Sequence, residues 1–379
     1  MAVRVAVLRE VAPGETRVAL TPEVIPRMRK AGIEVVVESG AGTAAGYPDP
    51  GYVQAGAQVA ADRTATLSSA AVVVKLQPPT LEEADAMAPG TVVIAVMNPG
   101  RNLDRVARMR DKKLTSFALE LLPRITRAQS MDVLSSQATV AGYRAALMGA
   151  DLCPKFMPML TTAAGTIRPA KVLILGAGVA GLMAIATARR LGALVEAYDV
   201  RRAAGEQVRS LGAKFLELQI NAEGAGGYAR ELTDDEKKQE AEMVSKAVAE
   251  ADVVITTANV PGRRAPLLVR KEMVARMHAG AVIVDLAAES GGNCELTQPG
   301  KEIEFQGVHV TGPLNLPAQL PFHASQMYAK NLESFLKLLV TPEGTLVTDF
   351  KDEILAASLL TSQGAVNHAP TRDALAGGK

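Results

Sequence analysis

Apolar residues in the first 120 positions gather into short unbroken runs, and the runs are separated by stretches in which they recur every three or four residues. Val3–Leu8, Val35–Glu38, Val72–Leu76, Val92–Met97 and Leu114–Leu119 are rich in β-branched residues and have no polar face, the pattern of strands buried on both sides. Between them Pro22–Lys30, Asp62–Ala70, Leu81–Met87 and Leu103–Lys112 carry the helical period. The same rhythm restarts at Lys171, with strands expected at Val172–Leu175, Val195–Asp199, Lys214–Leu218, Val253–Thr257 and Ala281–Leu286. Strands alternating with helices predict a parallel sheet wound on both faces, here twice over.

Two long helices are expected to link these series. One runs from Ser130 to about Ala150 without a proline, after Thr126-Arg127-Ala128-Gln129, which has the form of a capping box; the other runs from Ala324 to Val340. The fold class read from this pattern is α/β, two doubly wound parallel-sheet domains joined by long helices with a cleft between them. The first domain is discontinuous, 1–130 plus 315–379, and the second is 131–314.

Composition narrows the function classes. The chain has 379 residues, 48% of them apolar, enough for two cores. Its 41 basic and 40 acidic residues nearly cancel, so no electrostatic footprint for nucleic acid or anionic lipid is expected. Cys153 and Cys294 are too few for a disulfide framework. The start meets the charged pair Arg9-Glu10 before any signal-like apolar region, and the longest apolar run, Val172–Ala188, falls short of the ~20 residues a span needs. The expectation is a cytoplasmic protein with no direct membrane insertion.

Chemistry enters at Gly176-Ala177-Gly178-Val179-Ala180-Gly181, preceded by the run Lys171–Leu175 and followed by the helical stretch Leu182–Leu191. Strand, glycine turn and helix in that order form a Rossmann dinucleotide fingerprint: Gly176 for the tight turn, Gly178 for close approach of backbone to a pyrophosphate, Gly181 for helix–strand packing. Val179 and Ala180 open the helix whose N-terminus faces the phosphate charge. Asp199 follows Gly181 by 18 residues, placed to accept from the adenosine ribose hydroxyls and to repel a 2′-phosphate, which favours NAD(H). Val200 and Arg201 beside it count as cofactor-binding positions. Arg201 and Arg202 also keep the opposite preference open, since arginine accommodates a 2′-phosphate.

Further along, Gln219–Thr233 is polar and glycine-rich, with Gly227 and Tyr228 at its centre, and reads either as a flap over the nucleotide or as a plain linker before the charged helix Asp234–Glu250. Thr256-Thr257-Ala258-Asn259 and Asp285–Asn293 lie where such folds expose strand ends to a ligand. Ala258 and Asn259 are candidate pocket residues, Asp285 and Asn293 candidate supports; ordinary turn chemistry would account for them as well.

Taken together, Arg124-Ile-Thr-Arg-Ala-Gln-Ser-Met-Asp132, Gly176–Gly181, Gly226-Gly-Tyr228 and Asp285-Leu-Ala-Ala-Glu-Ser-Gly-Gly-Asn293 resemble the NAD(H)-binding component of proton-translocating nicotinamide nucleotide transhydrogenase, over nearly the whole chain. The resemblance implies that the Arg124–Ser135 loop positions the dihydronicotinamide ring, with Arg124, Gln129, Asp132 and Ser135 as the ring-contacting residues. Direct hydride transfer between two nicotinamides needs orientation and approach more than proton shuttling. Gln129 offers a donor and an acceptor for a carboxamide, and Arg124 held by Asp132 would be a rigid donor fork. From spacing alone, Gln129 completing the capping box and Asp132 in a helix first turn is the favoured account, and only the resemblance sets it aside.

The family further implies NADP(H) held by a separate partner subunit, membrane-spanning subunits that translocate protons, a homodimer, and a peripheral position on the inner face of a prokaryotic plasma membrane. Alanine dehydrogenase is the alternative, since Arg17 and Lys75 suit a substrate carboxylate. That reaction needs proton shuttling, however, and that family uses a histidine after its fourth strand, where this chain has Met97-Asn98-Pro99; Glu289, where that family tends to have aspartate, points the same way. Arg17 and Lys75 are then expected to be structural ion-pair formers.

Overall fold

The structure, a computed structural model, describes residues 2–217, 233–259, 264–341 and 343–377. The chain divides into two compact units, Met1–Gln137 with Pro317–Lys379 and Ala138–Leu316, and the boundary between Gln137 and Ala138 falls inside one continuous helix, Val133–Leu152.

In the first unit β1 (Val3–Val7), β2 (Ile33–Glu38), β3 (Gln58–Ala60), β4 (Val72–Val74), β5 (Val92–Ala95) and β6 (Thr115–Ala118) lie in the order β3-β2-β1-β4-β5-β6, all parallel. Leu359–Ser362 and Ala365–Val366 extend the β6 edge antiparallel, making eight strands. Every residue of β4, β5 and β6 is buried, the condition that leaves an apolar run with no polar alternation. The helix Pro321–Leu339 lays Tyr328, Leu332, Phe335, Leu336 and Leu339 on this sheet, one stripe at helical spacing, and Phe335 meets Phe117 of β6 edge-on at 5.5 Å between ring centres.

The second unit opens with the rest of helix Val133–Leu152, followed by a self-paired hairpin, β7 (Leu160–Thr162) and β8 (Gly165–Ile167). Its main sheet contains β9 (Lys171–Leu175), β10 (Leu194–Tyr198), β11 (Lys214–Phe215), β12 (Val253–Thr256), β13 (Val282–Asp285), β14 (Glu302–Phe305) and β15 (Val308–Thr311), in the order β11-β10-β9-β12-β13-β15-β14 with only β14 antiparallel. Strand order reverses between β9 and β12. In open α/β sheets the crevice beyond the carboxyl ends at such a reversal is where ligands bind. Both sheets are Rossmann-like, the fold class expected from the sequence.

One local expectation is overturned. Thr126-Arg127-Ala128-Gln129 is not a capping box: Thr126–Met131 is a 3₁₀ helix, the residue before it, Ile125, is extended, and no side chain caps it. Thr126 is therefore already inside the turn, where its hydroxyl cannot reach forward as a cap. The α-helix starts only at Val133, and Asp132 caps it, taking the Ser135 N–H on Oδ1 at 2.9 Å and the Ser135 hydroxyl on Oδ2 at 2.6 Å.

Candidate functional site

At the end of β9 the chain turns at Gly176 with φ +107°, a conformation that side chains resist. A Cβ on Gly181 would lie 1.8 Å from the Gly176 carbonyl oxygen, so helix Val179–Arg190 approaches the strand as closely as only glycine permits. Gly178 differs from both: among the described residues nothing stands within 4 Å of the position its Cβ would take. It occupies the N-cap of the helix without offering a side chain to the first-turn N–H groups. Among the described residues no side chain caps those donors, and with the positive end of the helix dipole they form a cradle that fits a pyrophosphate. Val179 is exposed and Ala180 half-buried at its rim.

Asp199 stands just past β10 and ties this turn to the next strand. Its Oδ2 accepts from the Ala177 N–H at 2.7 Å and its Oδ1 from the Arg201 N–H at 2.8 Å. The Arg201 side chain closes on the same carboxylate. Burial alone would raise the pKa of Asp199, but hydrogen bonds from the Arg201 side chain and from the two backbone N–H groups bring it below the usual carboxylate range. Val200 points outward and is 78% exposed.

Across the strand-order reversal, the segment after β12 is braced from two sides. The Thr257 hydroxyl donates to the Gly176 carbonyl at 2.9 Å. Asn293 grips Ala258 through both main-chain groups, accepting its N–H at 3.0 Å and donating to its carbonyl at 2.8 Å, and donates also to Pro266 O. Asn293 is itself held by the wholly buried Asp285, whose carboxylate receives Thr256 Oγ1, Ala287 N, Asn293 N, Cys294 N and Thr297 Oγ1 at 2.6–3.0 Å. Ala258 is thereby fixed beside the glycine turn, half-buried, and Asn259 beyond it is exposed. The sequence pattern puts Thr257 at a strand end without showing what it bonds, and does not mark Thr297 at all. Their partners lie 81 and 12 positions away, a relation no local spacing reveals. Thr257→Val, which keeps the shape and removes one partly buried bond, is expected to lower unfolding stability by about 1 kcal/mol; an unshifted urea midpoint would mean that this bond does not hold the turn.

In the first unit the segment from Arg124 to Ser135 is fastened from beneath. Ala128, Met131 and Val133 sit in the core, and Asn331 Nδ2 donates to the Ser130 carbonyl at 2.8 Å. Arg124 and Gln129 both face outward, and among the described residues neither side chain makes a hydrogen bond or ion pair. The expected Arg124–Asp132 pair is not formed, because Asp132 spends both carboxylate oxygens on Ser135 as the helix cap.

Arg17 and Lys75 are buried in ion pairs of this unit. Arg17 forks onto Glu15 at 2.6 and 2.7 Å and reaches Gln137 at 2.8 Å; Lys75 lies 3.2 Å from both Glu10 and Glu83. Burial pushes the Glu10 carboxyl upward against the pull of Lys75. The Met97 and Asn98 N–H groups both donate to Glu120. Gly227 and Tyr228 lie outside the described residues.

A strand-order reversal carrying a glycine cradle, in a chain whose other unit has the same reversal among its parallel strands, defines a two-unit Rossmann-type protein. The chain matches the alanine dehydrogenase/PNT N-terminal domain over residues 6–141 and the alanine dehydrogenase/PNT C-terminal domain over residues 145–369, and it belongs to that family. Within it, the chain is 46% identical over 375 residues to the first part of NAD(P) transhydrogenase subunit alpha of Rhodospirillum rubrum, covering 96% of this chain and 98% of that one. A solved transhydrogenase from Sinorhizobium meliloti is similar with a TM-score of 0.86 and 44% identity, over 97% of this chain and 99% of the other. Alanine dehydrogenase of Bacillus subtilis is more distant, 29% identical over 97% of this chain and 94% of that protein. The likeness to transhydrogenase read from the sequence motifs is thus borne out.

Proposed function

We propose that this chain is the NAD(H)-binding subunit of a proton-translocating nicotinamide nucleotide transhydrogenase, presenting NADH for direct hydride transfer to NADP⁺ held on a partner subunit. The observation that carries the reading is the pair Arg124 and Gln129: two outward-facing polar side chains, unbonded among the described residues, on a segment anchored in the core. A structural role would use those groups internally. Gln129 would hold the nicotinamide carboxamide by its donor and its acceptor, and Arg124 would add a second donor. Asp132 and Ser135 act as a positioning pair, fixing the start of the helix that follows the loop. Gly176, Gly178 and Gly181 would take the pyrophosphate and Asp199 the adenosine ribose, with Ala258 and Asn259 at the wall.

When bound, the dihydronicotinamide supplies the hydride. The residues of this chain bind and orient it and leave its reactive face to the partner, and none is required to move a proton, which agrees with Met97-Asn98-Pro99 at the end of β5. Among the described residues no helix is long and apolar enough to cross a membrane. Proton translocation is therefore assigned to membrane-spanning partner subunits, with this chain peripheral on the cytoplasmic face and, as in the resembled family, a homodimer.

Mixing the purified chain with an NADP(H)-binding partner from the same system is expected to produce hydride exchange between nucleotide analogues. No exchange at any ratio would remove the transhydrogenase reading. Turnover of pyruvate, ammonia and NADH by the chain alone would put an alanine dehydrogenase in its place.

A further inference from the structure

The carboxylate of Asp199 accepts four donors, and they come in two kinds. Two are main chain: Ala177 N–H on Oδ2 and Arg201 N–H on Oδ1, at 2.7 and 2.8 Å. Two belong to one side chain, Arg201 Nε on Oδ1 and Arg201 Nη2 on Oδ2, both at 2.9 Å. The same Nη2 also reaches the Ala177 carbonyl at 3.4 Å. With two acceptances on each oxygen, the carboxylate has no lone-pair direction left over. The main-chain donors belong to the fold. The guanidinium comes from the solvent side, and the Arg201 side chain remains 63% exposed while that of Asp199 is 7% exposed.

A ribose with adjacent 2′- and 3′-hydroxyls offers a carboxylate the same thing a guanidinium edge does, two parallel donors that engage both oxygens. Resting on the reading of Asp199 as the ribose acceptor, we propose that Arg201 is an internal stand-in for the adenosine ribose diol. Its fork occupies the two acceptor directions the diol requires, and must leave them when the nucleotide enters.

Two consequences follow from the geometry. Paired as it is, Arg201 spares a nearly buried carboxylate the cost of lacking a counter-charge. In the binding equilibrium it competes with the nucleotide, lowering affinity and hastening release. Because the pair is open to water on the arginine side, the competition is weak, on the order of a two- to five-fold effect on the dissociation constant. Position 201 is thereby a determinant of how fast the nucleotide exchanges, a step that limits turnover in many enzymes.

The test uses the full chain and NADH fluorescence to read the dissociation constant and, by stopped flow, the release rate. Arg201→Ala is expected to tighten NADH about two- to five-fold with slower release. The same variant should leave almost unchanged the affinity for an NADH analogue lacking the adenosine 2′-hydroxyl, which has only one donor for the vacated positions. Arg201→Lys, a charge without a fork, should fall between wild type and alanine. Weaker binding of both nucleotides by Arg201→Ala would overturn the proposal, since Arg201 would then be holding the nucleotide; unchanged binding of both would overturn it as well. Failure of the underlying ribose reading looks different: Asp199→Ala would bind NADH as wild type does, and wild type would not distinguish NADH from the analogue. If Asp199→Ala loses affinity and Arg201→Ala gains none, only the stand-in role falls.

Discussion

Asp285→Asn is expected to destabilise the second unit by about 3–5 kcal/mol and to weaken NADH binding although residue 285 touches no nucleotide in the proposed reading. Its carboxylate is wholly buried and serves five donors, three of them main-chain N–H groups that cannot turn away: Ala287 on Oδ1, Asn293 and Cys294 on Oδ2. An asparagine amide must point its NH₂ at one side or the other, and either choice sets a donor against at least one fixed donor. A buried N–H left unpaired costs about 1–3 kcal/mol, and bonds to a charged acceptor are the stronger kind. The damage then travels along bonds already described. Asn293 loses the hold on its main chain, and with it the grip on both main-chain groups of Ala258 beside the glycine turn. At roughly 2–4 °C per kcal/mol for a unit of this size, the thermal midpoint should fall by about 10 °C. A midpoint within about 2 °C of wild type would show that the five bonds are not a stabilising set.

Asp285 also marks the limit of what the chain discloses by itself. A carboxylate at a strand end is readable as a turn or pocket residue. Its role as a hub depends on Thr256, Thr297 and Asn293 converging on one buried point, which is a property of the folded sheet. Strands were legible where burial on both faces forces an apolar run, as in β4, β5, β12 and β13, though each ended a residue or two earlier than its apolar run because the ladder stops where the chain turns to the next helix. Elements at or next to the sheet edges lacked that signal: β3 begins with exposed Gln58, and Leu359–Ser362 buries Thr361 through its bonds to Ser116 and to the Leu114 carbonyl. The β14–β15 hairpin could have been found, since Glu302-Ile-Glu-Phe305 alternates and Gln306-Gly307, both at positive φ, form the turn. In the candidate site the glycine turn was visible because its spacing is local. The self-pairing of Asp199 with Arg201 was not, since arginine two positions after an acid reads equally as a phosphate ligand.

Gln129→Asn is expected to slow hydride transfer to a partner-bound acceptor by about 100-fold or more while leaving NADH affinity and stability close to wild type. The change removes one methylene, about 1.5 Å, and keeps the donor and acceptor. A carboxamide still held by the shortened side chain sits displaced, and a misplacement of ~1 Å can cost ~100-fold when approach distance sets the rate. Affinity should survive because the proposed pyrophosphate and ribose contacts lie in the other unit, at Gly176–Gly181 and Asp199. Stability should survive for a separate reason: the Gln129 amide is exposed and makes no hydrogen bond among the described residues, so nothing is left unpaired when it shortens. Asp132→Ala serves as the contrast. It removes the acceptor of both Ser135 bonds at the helix start, so about 1 kcal/mol of stability should go with whatever rate is lost. Single-turnover transfer rates, NADH titrations and unfolding midpoints on the two variants separate the roles. A Gln129→Asn protein whose affinity fell in step with its rate, or whose midpoint dropped, would make Gln129 a structural residue and leave Arg124 alone to account for an orienting grip.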